Sequence, residues 1–477
     1  MRLRTIILVF GFGVSHIAMG AELHFDSDRM AVVDGQRTFI LGLYETFGNH
    51  DLYKSVAEAG FNLVHGHPSA DALDHLHTLG LYAWLNTGGA IDLSDDRANR
   101  EAQLKKSVEQ FGDHPALLTW EVPDEALWNT WYAPVQWRVH DEPKQLRSSA
   151  SGGKSKRRSG DLADRVKRLE ALYAQGNFVE GEKVADAMWK AIGKEPPHPE
   201  LSFAGRSARA ETLRTGMIAG YEYLKALDPK HPIWMNHAPR NQIASLAAFN
   251  QGADIVGCDM YPAPSFGHDH SDLADQTLSA VGAYTRRMQV SAPGKPIWMV
   301  LQGFGWKDLL NDSDNPGHRR PNAHELRFMA YDAIVHGARG ILYWGTAQIE
   351  KPSQLWKDIL VLGRELSGLQ PVLSAPEAIL RPTLTVGEVR GSVDRGVEML
   401  TKDVAGSIAL VIVNEWVEPL DYRISGLNSY EGQSFADPVQ NVRVTVANGE
   451  IATRIPAYGV HVLQRIGVDP SAGAAKR

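Results

Sequence analysis

Phe39-Ile-Leu-Gly-Leu-Tyr44, a helical pattern from Leu52 to Ala59, Phe61-Asn-Leu-Val-His65, a second helical pattern from Ala70 to Leu79, then Leu81-Tyr-Ala-Trp-Leu85: this stretch decides the fold. Its apolar runs are short, rich in branched and aromatic residues, and lack the polar alternation of a half-exposed strand. They therefore read as strands buried on both faces, which is the condition of parallel strands covered by crossover helices. The same unit recurs along the chain. Further strands are expected at Ala116-Leu-Leu-Thr-Trp-Glu121, Pro232-Ile-Trp-Met235, Asp254-Ile-Val-Gly-Cys-Asp259, Pro296-Ile-Trp-Met-Val-Leu-Gln302 and Gly340-Ile-Leu-Tyr-Trp344. Helices are expected at Arg97 to Phe111, Ala208 to Leu227, Gln242 to Asn250, Leu273 to Gln289, His324 to His336 and Gln354 to Leu366. Gly60, Gly80, Gly112, Gly252 and Gly337 mark helix ends. Eight successive units over residues 21–370 predict a closed (β/α)8 TIM barrel rather than an open sheet. No Gly-x-Gly-x-x-Gly phrase follows the first strand, which argues against a dinucleotide-binding fold.

Two regions depart from the repeat. About eighty residues separate the fourth strand from its helix, where loops of about two to six are usual. This insertion, at about 126–205, holds a basic Ser/Gly/Lys/Arg tract, Arg147 to Gly160, expected as a mobile loop. Helical patterns follow at Leu162 to Ala174 and Val179 to Ile192, expected as a lid or side wall over the barrel mouth. From residue 375 to 468 the helical period gives way to short strands such as Ser407-Ile-Ala-Leu-Val-Ile-Val413, Val442-Arg-Val-Thr-Val446 and Gly459-Val-His-Val-Leu463, which predicts an antiparallel β-sandwich.

Composition excludes several classes. The 477 residues are 43% apolar and 22% charged, enough for more than one packed core. The net charge of −7 becomes −9 once Arg2 and Arg4 are removed, so nothing draws the chain as a whole to nucleic acid. Residues 1–20 read as a signal peptide, with Arg2 and Arg4, an apolar stretch from Thr5 to Val14 and Ala18-Met19-Gly20 as the cleavage site. A secreted or periplasmic location is therefore expected, with no integral membrane segment after signal removal. Cys258 is the single cysteine, which rules out an intrachain disulfide and a cysteine metal site.

Catalytic groups of a parallel barrel lie at the carboxyl ends of its strands. Those positions are Tyr44 and Glu45, His65 and His67, Asn86, Trp120 through Glu125, Asn236 and His237, Asp259 and Tyr261, Gln302, and Tyr343 and Trp344. His65, His67, His237, Asp259, His268 and His270 could hold a metal, but polar contacts to hydroxyls account for them with fewer assumptions, and neither a metal nor a cofactor is assigned. Trp128, Trp131, Trp137 and Trp306 also follow strand ends, and an aromatic ring matches the apolar C–H face of a pyranose.

The run Asp113-His-Pro-Ala-Leu-Leu-Thr-Trp-Glu-Val-Pro-Asp-Glu125 resembles the fourth-strand motif of clan A retaining glycoside hydrolases. The resemblance implies that Glu125 is the acid/base and that Asp124 stands where the family has an Asn. It also implies that Tyr261 reaches the catalytic carboxylates and that Trp344 floors a sugar subsite. In the family, strand seven ends in a nucleophilic Glu; here Lys295-Pro-Ile-Trp-Met-Val-Leu-Gln302 ends in an amide. Three resolutions are open. The substrate's own acetamido group can attack, with Asp124 stabilising it and Glu125 protonating the leaving oxygen, an adjacent Asp-Glu pair being what hexosaminidases use. Glu125 can act as acid with Asp259 or Glu45 as the base of an inverting reaction. Or the cleft can bind glycans without cleaving them. The expected partner is a carbohydrate, contacted by Glu45, His65, Asn86, Trp128, Asn236, Tyr261, Gln302, Trp306 and Trp344, with Glu125, Asp124 and Asp259 as the catalytic candidates.

Overall fold

A computed structural model describes residues 20–151, 156–267, 271, 273–310, 314–387 and 395–467. The expected signal segment, apart from Gly20, lies outside them. Eight parallel strands close into a barrel: β1 (Ile40–Leu43), β2 (Leu63–His65), β3 (Tyr82–Asn86), β4 (Leu117–Glu121), β5 (Ile233–His237), β6 (Ile255–Met260), β7 (Ile297–Gln302) and β8 (Gly340–Trp344). Each pairs with the next, and β8 pairs with β1, with Ile341 beside Leu41. Every residue of β5, β6 and β7 is buried, as two-sided burial requires. Trp84, Trp234 and Trp298 fill the barrel, with neighbouring ring centroids 5.4 and 5.7 Å apart.

That filling makes small residues obligatory on the wall. A Cβ on Gly257 of β6 would sit 2.2 Å from the Trp298 carbonyl and 3.1 Å from both Asn236 Oδ1 and Trp234 Nε1. Gly257→Ala is therefore expected to force β6 from its neighbours and to cost about 1–3 kcal/mol, the usual range for overpacking. Urea unfolding of the variant beside the parent measures it, and an unchanged midpoint would show that the wall yields freely.

Helices begin where polar caps precede them: Asn49, Ser69 and Ser353 each accept a backbone N–H of the first turn, and Asn322 forms a capping box with Glu325. Among the glycines expected to end helices, Gly60, Gly80 and Gly337 adopt left-handed φ, whereas Gly112 and Gly252 do not. The helix expected from Leu273 spans only Ala280–Ser291. Asp275 takes hydrogen bonds from Thr277 N (2.8 Å), Thr277 Oγ1 and Ser279 Oγ (both 2.6 Å), a local side-chain turn that competes with helix. A three-stranded antiparallel sheet of Leu23–Phe25, Ala31–Val33 and Gln36–Thr38 precedes β1 and was not foreseen.

The insertion is helical: Ala126–Val135, Glu142–Ser151, Lys156–Ala174 and Phe178–Ala191, before the long crossover helix Arg206–Leu227. The basic tract is thus not a loop throughout, since both of its ends continue helices. Leu146, Val166, Leu169, Met188, Trp189 and Phe203 give the insertion a core of its own. Beyond the barrel, a three-stranded and a five-stranded antiparallel sheet share a second core around Leu410, Ile412, Tyr422, Ile424, Phe435 and Ile455, the expected β-sandwich.

Candidate active site

The end of β4 sets the site. A register shift between β3 and β4 pairs Trp84 with Thr119 and brings Asn86 opposite Glu121. Glu121 ends a buried strand and is 1% exposed. Its carboxylate accepts hydrogen bonds from Tyr44 OH, Trp84 Nε1 (3.1 Å) and Asn86 Nδ2 (2.8 Å). The chain then runs beside β5, where Val122 N bonds Trp234 O (3.0 Å) and Glu125 N bonds Asn236 O (3.2 Å). Glu125 has φ +51°, a left-handed conformation uncommon without glycine, immediately before the helix Ala126–Val135. Its side chain is half-buried there.

Asp124 and Asp259 meet around one amide. Asn236 Nδ2 donates to Asp124 Oδ1 (3.0 Å) and to Asp259 Oδ1 (2.5 Å). Tyr261 OH donates to the other oxygen of Asp259 at 2.6 Å, and Glu125 lies close enough to the same carboxyl for the two to shift one another's ionisation. Burial, then the charge of Asp124, raises Glu125 to about 7 and Glu121 to about 8. Burial likewise raises Asp124, although Asn236 and the Glu125 N–H oppose it, and it drives Asp259 well above the usual range with the charges of Asp124 and Glu125 adding to it. The cluster can therefore hold an acid and a carboxylate side by side at neutral pH.

A pH dependence follows. A reaction that needs a proton on Glu125 is expected to fade as pH rises through about 7, seen as the alkaline limb of a kcat/KM profile. That limb belongs to the coupled group rather than to one residue. A limb near the ordinary carboxyl value of 4.5 would contradict the geometry. The stability consequence has a definite sign. From about 4.5 up to about 7 for Glu125 and about 8 for Glu121, the fold keeps protons that the unfolded chain has released, so both groups destabilise the fold progressively as pH rises through those windows.

The remaining candidates divide. Half-buried Trp344 stacks on Tyr261 (5.5 Å, 16°), while Trp306 is 8% exposed and packs edge-on against Phe304, so Trp344 presents the ring. Trp128 stacks on Tyr132 (5.4 Å, 14°) one turn along the helix that follows Glu125. His65 lies on Trp84, and burial lowers its pKa. Asn86 reaches the site through Glu121. Gln302 is not brought to the cleft. It is 0% exposed, and its amide is spent on backbone, donating to Ala263 O (2.8 Å) and Phe304 O (3.1 Å) and accepting from Ala263 N (2.8 Å). Glu45 is held by Lys351 and by Thr346 Oγ1 (2.6 Å). Of the histidines, His67 is exposed, His237 is buried against Asn250 Oδ1 (2.8 Å), and His268 and His270 lie outside the described residues. Tyr44, Trp84 and Glu121 had no assigned role in the sequence reading. The available signal was a charged residue ending a strand buried on both faces, which has only the barrel mouth to point to.

No family model matches the chain, and no curated protein matches it by sequence. Solved structures do. A glycoside hydrolase family 5 protein from Bacteroides vulgatus aligns over 93% of this chain and 93% of its own, at 12% identity and TM-score 0.54. A catalytic mutant of a GH42 β-galactosidase from G. stearothermophilus aligns over 90% and 98%, at 11% identity and TM-score 0.51. Against a β-galactosidase from the psychrophilic Marinomonas ef1 the chain spans 60% of that protein's length, at 14% identity and TM-score 0.43. Likeness at this identity establishes the fold: a (β/α)8 barrel followed by antiparallel β-sheets.

Proposed function

We propose that the chain is a glycoside hydrolase acting on an oligo- or polysaccharide, with Glu125 as general acid/base, Asp124 as stabiliser, and the acetamido group of an N-acetylated sugar as the internal nucleophile. The observation that carries this reading is the carboxyl cluster on Asn236 combined with a strand-seven amide turned into the backbone. Gln302 cannot form a glycosyl ester and does not face the cleft, so the attacking atom must come from elsewhere. The inverting alternative needs about 6.5–9.5 Å between carboxyls to admit a water. Asp259 interacts with Glu125 at close range, which speaks against that spacing, and Glu45 is already taken up by Lys351 and Thr346.

In the proposed reaction the acetamido oxygen attacks the anomeric carbon as Glu125 passes its proton to the leaving oxygen. Asp124, ionised, takes the acetamido N–H and offsets the positive charge that develops on it. Water then opens the ring so formed, with Glu125 now the base, and configuration is retained. Trp344 supplies the apolar floor for the sugar ring. The shared barrel of the family 5 and GH42 glycoside hydrolases supports carbohydrate as the substrate class.

The test is hydrolysis of aryl N-acetylglucosaminides and N-acetylgalactosaminides beside plain glucosides and galactosides, with the product anomer followed by NMR. Cleavage restricted to N-acetylated glycosides with retention is expected; turnover of a plain galactoside, or inversion, would sink substrate assistance. A glycan-binding protein is the second reading, favoured by the same buried Gln302. It predicts saturable sugar binding with no product from any glycoside.

A further inference from the structure

Away from the barrel mouth, where a barrel helix meets the β-sandwich, three side chains with metal-ligating atoms converge in the interior. Asp332, on the helix Ala323–Val335, and His336, which caps that helix, stand four residues apart and so share a face. Glu415 follows the sandwich strand Ser407–Asn414. They are 0%, 7% and 3% exposed, and one ligand atom from each lies within 4.8 Å of the others. No other such group of three occurs among the described residues. His336 Nε2 is 2.8 Å from Glu415 Oε1 and 3.4 Å from Asp332 Oδ1. Tetrahedral zinc, with bonds near 2.0–2.1 Å, sets neighbouring ligand atoms ~3.3 Å apart.

Two further observations point to a ligand. Asp332 Oδ2 is fixed by the Gly282 N–H at 2.7 Å, the kind of outer contact that orients a ligating carboxylate. Its Oδ1 is buried and faces the cluster, 3.4 Å from His336 Nε2 in poor hydrogen-bond alignment. Gly282 also leaves the space clear, since a Cβ there would lie 1.9 Å from His336 Cδ2 and 2.9 Å from Asp332 Oδ1. Two features oppose a metal: the proton that Asp332 and Glu415 stabilise on His336, which the ion would have to displace, and Arg286, whose guanidinium lies 3.3 Å from His336 Nε2, 3.6 Å from Glu415 and 3.7 Å from Glu398. These contacts are long and its side chain is 50% exposed, so it can swing to solvent. It puts positive charge where a cation would.

We propose that Asp332, His336 and Glu415 form a binding site for a zinc-type divalent cation that clasps the β-sandwich onto the barrel. One imidazole and two carboxylates suit a borderline cation with a fourth, solvent-supplied position, whereas magnesium and calcium need more oxygen ligands. Bound to the folded state alone, the ion would raise stability by mass action. The inference is independent of the glycosidase reading.

The test is zinc titration of the chelator-treated and dialysed protein, followed by equilibrium dialysis and thermal unfolding, with magnesium and calcium as controls. One zinc per chain and a raised Tm are expected, with binding weakened at least about tenfold in Glu415→Gln and in His336→Gln. Arg286→Gln, a partly exposed change unlike the buried ones, is expected to tighten binding. Absence of stoichiometric zinc at about 100 µM free metal in both the parent and Arg286→Gln, or undiminished binding in folded Glu415→Gln, would overturn the site.

Discussion

Glu125→Gln is expected to lower kcat on an alkyl or sugar glycoside by about 10²–10⁴-fold, the range that a positioned acid contributes. The amide keeps the size of the side chain, but it has no proton to give the leaving oxygen. The loss should therefore shrink on aryl glycosides whose phenolate leaves unaided, and the alkaline limb near pH 7 should vanish with it. A uniform loss on every leaving group would instead mean that the substitution had disturbed the cluster as a whole. The same variant should be less sensitive to rising pH in its stability, because a carboxyl protonated in the fold and ionised in the unfolded chain has been removed. Loss of acid chemistry together with a flatter stability profile is a pair of outcomes that a purely structural Glu125 would not produce.

Arg138→Met is expected to cost the insertion about 3–5 kcal/mol, the penalty for stranding a buried charge. Arg138 is 1% exposed and donates to Glu142 (2.9 Å) and Asp186 (2.7 Å), with Glu182 at 3.8 Å. Glu142 is itself 0% exposed and also holds Trp189 Nε1 at 2.9 Å. Burial raises Glu142 to about 7 even with Arg138 beside it, so without the guanidinium it would have to protonate or leave the interior. Because the insertion has its own apolar core, the damage should stay local. Hydrogen exchange should rise across residues 142–191 while the barrel strands remain protected. The double change Arg138→Met with Glu142→Leu should recover part of the loss, since an apolar pair replaces the buried ion pair, less about 1–3 kcal/mol for leaving Trp189 Nε1 without its acceptor. If the double variant were as unstable as the single one, packing rather than charge would be the cause.

How far the site was legible follows from the range of each interaction. Asp124 and Glu125 were readable because they closely follow a strand end, and strand ends face the mouth of a parallel barrel. Asp259, Tyr261, Asn236 and Trp344 were readable for the same reason. The role of Asn236 was not: that one amide bridges acids from β4 and β6 depends on how three strands stagger around the closed barrel. Gln302 shows the limit most plainly. Its position at the end of β7 suggested a polar group in the cleft, but the backbone at Ala263 and Phe304 takes both of its N–H donors and fills one lone pair of its oxygen.

The sequence by itself determined the barrel, the helical insertion, the β-sandwich and the acidic pair after β4, because each rests on local periodicity or on position along one strand. Tertiary structure alone decided which carboxyls come together, which ring stays half-buried beside Tyr261, and that Asp332, His336 and Glu415 meet. Those outcomes depend on burial and on contacts between residues far apart in the chain, and both are created only when the sheet closes and the sandwich docks.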